Sequence, residues 1–211
     1  MKPLRRKPSQ QRSRETVDVV FEAAMRELQR GDPTAVNVNR VAETAGVSIG
    51  SIYQYFPSKE TLLSSLIAHY MRRRFEAIMA MIRAIQDEER TTQTVVPLEE
   101  IMRRLVHGTI RLKQTGLPLE FALISWFARV GSLASLTELD REYTQAIADA
   151  LRTLQEPPAR IRSVDPLLAA RILMQSIRAI LLTAILQEPG LFDGEALCAE
   201  VTELAVRYLK H

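Results

Sequence analysis

The chain has 211 residues, 46% of them hydrophobic and 25% charged, the balance of an ordinary globular protein. That length holds one sizeable core, or a small module joined to a larger one. The longest strongly apolar run, Ile180-Leu181-Leu182-Thr183-Ala184-Ile185-Leu186, is too short to span a bilayer; the basic start is followed by polar sequence instead of a signal-peptide core; and Cys198, the single cysteine, has no internal partner, so a cytoplasmic protein without a membrane anchor is expected.

The formal net charge of +3 is unevenly placed. Lys2, Arg5, Arg6, Lys7, Arg12 and Arg14 fall in the first fourteen residues with no acid among them, which leaves the rest of the chain a net of −3. A concentration of this kind suits a polyanion, either phosphate backbone or an anionic membrane surface. With Pro3 and Pro8 it reads as a flexible arm over residues 1–11, and Arg5 and Arg6 are its candidate DNA contacts. The alternative is a solvated tail.

Helical spacing begins near Ser13, with Val17, Val20, Phe21, Ala24 and Leu28 on one face, and Gly31-Asp32-Pro33 ends it. Asn37 stands where a second helix needs its N-cap, and Val38, Val41 and Ala42 form the inner face. Arg40 leaves the capping box incomplete. Gly46 can adopt the left-handed conformation that bends the chain, Val47 fills the angle, and Ser48 caps a third helix whose inner face is Ile52 and Phe56.

Two short helices meeting at a glycine make a helix-turn-helix, and the outward residues of the second fit a DNA major groove. Gly50 and Ser51 lack bulk, so the free backbone amides can come close to DNA. The phenols of Tyr53 and Tyr55 can donate to phosphates, or else serve as packing residues. Gln54 can pair bidentately with adenine, and Lys59 can reach a phosphate.

Pro57 closes this helix and Ser58 caps the next, which runs to about Glu89 without glycine or proline. Pro97, Glu99 and Glu100 start another, Pro157-Pro158 ends the helix carrying Tyr143 and Leu151, and two more follow over about 165–187 and 194–210. Strand-like alternation is nearly absent. The fold class is therefore all-α, divided into the arm (1–11), a helix-turn-helix DNA-binding domain (12–60) and a larger helical domain (61–211).

The run Val41-Ala42-x-x-Ala45-Gly46-Val47-Ser48-x-Gly50-x-Ile52-Tyr53-x-Tyr55-Phe56-x-Ser58-Lys59-Glu60-x-Leu62 resembles the signature of TetR-type transcriptional regulators. The resemblance implies a three-helix DNA-binding head, a larger C-terminal domain that binds an effector, and a homodimer. It also implies DNA contacts at Asn37, Ser48, Gly50, Ser51, Tyr53, Gln54, Tyr55 and Lys59. This chain departs from the family pattern at Asn37, where threonine is common, and at Ile49, where lysine or arginine is common. Ile49 loses a phosphate contact and is a candidate to meet a thymine methyl instead.

The last two helices are apolar on more than one face, through Leu168, Ile172, Ile177, Ile180, Leu181, Ala184 and Ile185, then Leu197, Val201, Leu204, Ala205 and Tyr208. Such helices are covered on two sides, which points to a homodimer through this pair; the alternative is a core helix of one chain. Candidates for lining an effector pocket are Phe75, Met79, Met102, His107, Phe121, Trp126, Phe127, Tyr143 and Met174, each of which can equally be ordinary core. Their aromatics and methionines favour an apolar or aromatic ligand. His69, His107 and His211 are isolated and no metal spacing, phosphate loop or nucleophile elbow is present, so no catalytic residue, metal or cofactor is expected. The function expected is a homodimeric repressor released from a pseudo-palindromic operator by a small molecule. The alternatives are a ligand-independent DNA-organising or partner-binding protein with the same head, and a helical enzyme that carries it.

Overall fold

A computed structural model describes residues 7–28, 36–114, 134–187 and 195–210. These form α1 (Lys7–Leu28), α2 (Val38–Ala45), α3 (Ile49–Tyr55), α4 (Lys59–Thr92), α5 (Leu98–Gln114), α6 (Ala134–Gln155), α7 (Pro166–Gln187) and α8 (Glu195–Lys210), with no strand among the described residues. The chain makes two compact units that divide at Tyr70–Met71, along α4.

In the first unit, α1 begins at Lys7, ahead of the start predicted near Ser13. The apolar spacing marks where a helix packs, and it begins only at Val17. Upstream of it, Gln and Arg are good helix formers, and Pro8 sits in the first turn, where its missing N–H would be unpaired in any case. The core is built from Val20, Phe21, Ala24 and Leu28 of α1, Val38, Val41 and Ala42 of α2, Ile52 of α3, Phe56, and Leu62, Leu63, Leu66 and Ile67 of α4. Val47 is half-buried in the bend. Phe21 holds the centre, its ring 5.5 Å from Phe56 and 4.9 Å from His69, which makes His69 a packing residue.

In the second unit, α6 packs on α7 and α5 on α8. One core cluster joins Ile85 of α4, Val96, Leu98, Ile101 and Met102 of the α5 entry, Leu151 and Leu154 of α6, Ala169, Ala170 and Leu173 of α7, and Val206 and Leu209 of α8. A second joins Val106 and Ile110 with Leu181, Ala184, Ile185 and Val201. Between α4 and α5, Met81 lies against Gly108: a Cβ at position 108 would collide with the Met81 sulfur. No sequence signal marks that approach.

Polar ties close the ends of these helices. Arg160 pairs with Glu89, both side chains about four-fifths covered, and donates to the Val96 carbonyl at 3.2 Å, while the Val96 N–H donates to Glu89 at 2.8 Å. The Arg162 guanidinium donates to the Tyr208 carbonyl at 2.9 Å and lies over the Tyr208 ring. Hydrogen bonds from Arg103 and Arg104 hold the Glu100 carboxyl at about 2, well below the usual carboxylate range.

α7 is long and apolar enough over Pro166–Ile185 to cross a membrane by composition alone. Its packing is that of a bundle helix: Leu173, Leu181, Ala184 and Ile185 enter both cores, and Arg178 pairs with Asp140 of α6 at 2.6 Å.

Candidate functional site

The geometry of the first unit's outer face follows from local hydrogen bonds. Asn37 is extended (φ −101°, ψ 112°), and its Oδ1 accepts from the Asn39 N–H at 2.9 Å, which starts α2. Gly46 ends it in the left-handed region (φ 67°, ψ 29°). The Gly46 N–H donates to the Glu43 carbonyl at 3.2 Å and the Val47 N–H to the Ala42 carbonyl at 3.0 Å, the paired closure of a Schellman turn. Two residues later Ser48 is extended again, and its Oγ accepts from the Ser51 N–H at 3.0 Å. Ser58 repeats the device for α4, accepting from the Thr61 N–H at 3.2 Å.

These turns fix the rotation of α3. Ile52 is 1% exposed, so the opposite side faces solvent: Ile49 is 40% exposed and Tyr53 45%, with Gly50, Gln54 and Tyr55 also exposed. Ser51 is half-buried, its hydroxyl 2.8 Å from that of Ser48. Lys59 is half-buried at the start of α4, beside Glu60. Arg5 and Arg6 lie outside the described residues.

Gly50 is informative. Its backbone is helical, and a Cβ there would meet nothing nearer than Ser48 Oγ at 3.7 Å. Glycine inside a helix costs about 1 kcal/mol relative to alanine. Neither the backbone nor the packing of the chain itself would bar a side chain at this position.

Arg40 was legible in the sequence only as a defect in the capping box. In the structure it is an exposed cation in the first turn of α2, without an ion pair among the described residues. A positive charge at the positive end of a helix dipole is locally unfavourable, so Arg40 belongs with the outward-facing candidates.

In the second unit, two of the pocket candidates come together. The Phe75 and Tyr143 rings stack with centroids 3.6 Å apart and planes 14° from parallel. Tyr143 is 5% exposed, and its hydroxyl has no hydrogen-bond partner among the described residues. Burial pushes the phenol up to about 12, against the weaker opposing pull of Arg72, which pairs with Glu142 at 3.8 Å. Met102 belongs to the main core cluster, Met79 and Met174 are half-buried, and His107 is exposed, one position beyond buried Val106. Phe121, Trp126 and Phe127 lie outside the described residues.

A helix-turn-helix head with an uncharged, outward-facing second helix, followed by a separate all-helical unit, defines a class of DNA-binding regulators. Residues 20–66 match the family described as bacterial regulatory proteins, tetR family, and residues 97–209 match the tetracyclin repressor-like C-terminal domain. The chain belongs to the TetR family of transcriptional regulators and carries that family's DNA-binding helix-turn-helix. Among its relatives, it is 30% identical over 108 residues to the HTH-type transcriptional regulator YuxN of Bacillus subtilis (strain 168), covering 50% of this chain and 37% of YuxN. It is 28% identical over 130 residues to the HTH-type transcriptional repressor KstR of Rhodococcus jostii (strain RHA1), covering 62% of this chain and 58% of KstR. The chain thus spans less than two thirds of the length of either relative. The fold is similar to that of the transcriptional regulator FadR from Bacillus subtilis in complex with stearoyl-CoA, with a TM-score of 0.68 and 20% identity over 90% of this chain and 98% of that one.

Proposed function

We propose that this regulator is a homodimeric repressor, acting in the cytoplasm, that leaves its operator when a small ligand binds the C-terminal unit. The observation that carries the DNA-facing part is Gly50, a helix-weakening residue exposed on the outer side of α3, where a side chain would meet no closer neighbour than Ser48 Oγ at 3.7 Å. In this reading α3 enters the major groove. Gln54 reads a base edge, while Asn37, Arg40, Ser48, Ser51, Tyr53, Tyr55 and Lys59 hold the flanking backbone and Arg5 and Arg6 add phosphate contacts from the N-terminal side. Two such heads would meet successive major grooves of a pseudo-palindromic operator, about 34–36 Å apart.

Exposed Leu167, Leu168 and Ile172 on α7 and Leu204 on α8 support the dimer. They lie on the two helices expected to pair across a two-fold axis, and large apolar side chains left in water are what a second copy would cover.

Tyr143 supports an effector with an apolar body and at least one hydrogen-bond acceptor. Its phenol is buried without a partner among the described residues, and an unpaired buried hydroxyl costs about 1–3 kcal/mol that a carbonyl or ester oxygen would recover. FadR of Bacillus subtilis, bound to stearoyl-CoA in its structure, makes long-chain acyl compounds the first class to screen. By linkage, an effector that weakens DNA binding is itself bound less tightly when DNA is present.

The test is selection of bound duplex from a random pool, followed by Gly50→Ala. The substitution is expected to stabilise the free protein by about 0.5–1 kcal/mol and to weaken binding to the selected duplex. Unchanged affinity would remove α3 from the interface.

A further inference from the structure

α3 places a branched apolar side chain on its solvent-facing side. Ile49 is 40% exposed and takes no part in the head's buried core, which α3 enters through Ile52. One helical turn on, Tyr53 extends the same exposed face, and the adjoining position is the bare backbone of Gly50. No residue of α3 carries a charge. A branched aliphatic group beside an open stretch of helix backbone cannot hold a phosphate, because it has no donor. It cannot pair with the donors and acceptors of a G·C edge either, and covering those edges would leave them unsatisfied. The major groove offers such a group one apolar feature, the 5-methyl of thymine.

We propose that Ile49 packs against the 5-methyl group of a thymine in each half-site, with Gly50 allowing the helix to come close enough for that contact, so that this position of the operator is read as T·A by shape and apolarity. The inference rests on the reading of α3 as the groove-entering helix and adds the base that its first residue selects.

The test uses the full chain and the duplex recovered by selection from a random pool. Each thymine of the half-site is replaced in turn, symmetrically, by deoxyuridine, which removes the methyl and leaves every hydrogen-bonding edge in place. Wild-type protein is expected to lose about fourfold in affinity per half-site at one such position, the effect of one buried methyl. Ile49→Ala protein is expected to bind the thymine and deoxyuridine duplexes equally at that position. Ile49 lies outside the buried core and the substitution introduces the strongest helix former, so the variant's melting temperature should stay close to that of the wild type. If Ile49→Ala keeps the full deoxyuridine penalty, or if no thymine shows one in the wild type, the proposal is overturned while the groove-binding reading of α3 stands. If the wild type recovers no defined sequence, both are overturned.

Discussion

The two units of this protein carry their functional candidates on opposite sides of their packing. In the head, the candidates are what the core leaves outside: Ile49, Gly50, Tyr53 and Gln54 face solvent because Ile52 and Phe56 are taken inward. In the second unit, the pair with a chemical signature, Phe75 and Tyr143, is one that packing draws together, with Tyr143 sealed from solvent. A surface that must meet a long, regular polymer can be laid out along one short helix. A site that must recognise a small molecule has to be assembled from several helices, so its residues are remote in sequence and resemble core.

That contrast can be broken at its strongest point by Ile52→Ala. Removing a side chain that is 1% exposed from the head's core should destabilise the full chain by about 2–5 kcal/mol in chemical denaturation and abolish binding to the selected duplex, whereas Ile49→Ala on the opposite face should have a much smaller effect on stability. Equal effects would mean that α3 has no inner and outer side. Next in size is Arg160→Ala, which strands the mostly covered Glu89 carboxylate and the Val96 carbonyl; a loss of about 1–3 kcal/mol is expected, with the Glu89→Gln/Arg160→Ala double variant recovering part of it.

Tyr143→Phe sharpens the comparison from the other side, since it should raise stability by about 1 kcal/mol at neutral pH by removing a buried hydroxyl that has no partner among the described residues. A second readout is pH. The folded-state phenol is raised to about 12 by burial, so above the ordinary phenol range the unfolded chain loses its proton first. Titration of Tyr143 therefore has no effect on stability below about pH 10 and lowers stability as pH rises from about 10 to about 12, so the advantage of Tyr143→Phe should be larger in a melt at about pH 11 than at about pH 8. An advantage that stays constant would contradict the buried phenol. The smallest effect is expected from Arg40→Ala: binding weakens alike on all sequences, and the slope of log affinity against log salt falls by about one phosphate contact per head. An unchanged slope would place Arg40 off the DNA.

Legibility in the sequence follows the same division. Asn37, Gly46, Ser48 and Ser58 could be assigned as caps and turn because the groups they satisfy lie two to five residues away. The start of α1 lies upstream of the predicted one because its first turns carry no apolar spacing. Arg40 was legible only as a broken capping box; that it projects as an exposed cation needed the packed position of α2. Met81 against Gly108 had no local signal at all.

By itself the sequence determined the all-helical class, the helix-turn-helix and its two faces, since each rests on hydrogen bonds and apolar spacing within one or two turns of chain. Only the tertiary structure decided that Glu89 meets Arg160 across 71 residues, that Phe75 stacks on Tyr143, and that His107 stays in solvent. Those outcomes depend on how helices rotate and dock against one another to bury their apolar sides, and no short stretch of chain encodes that rotation.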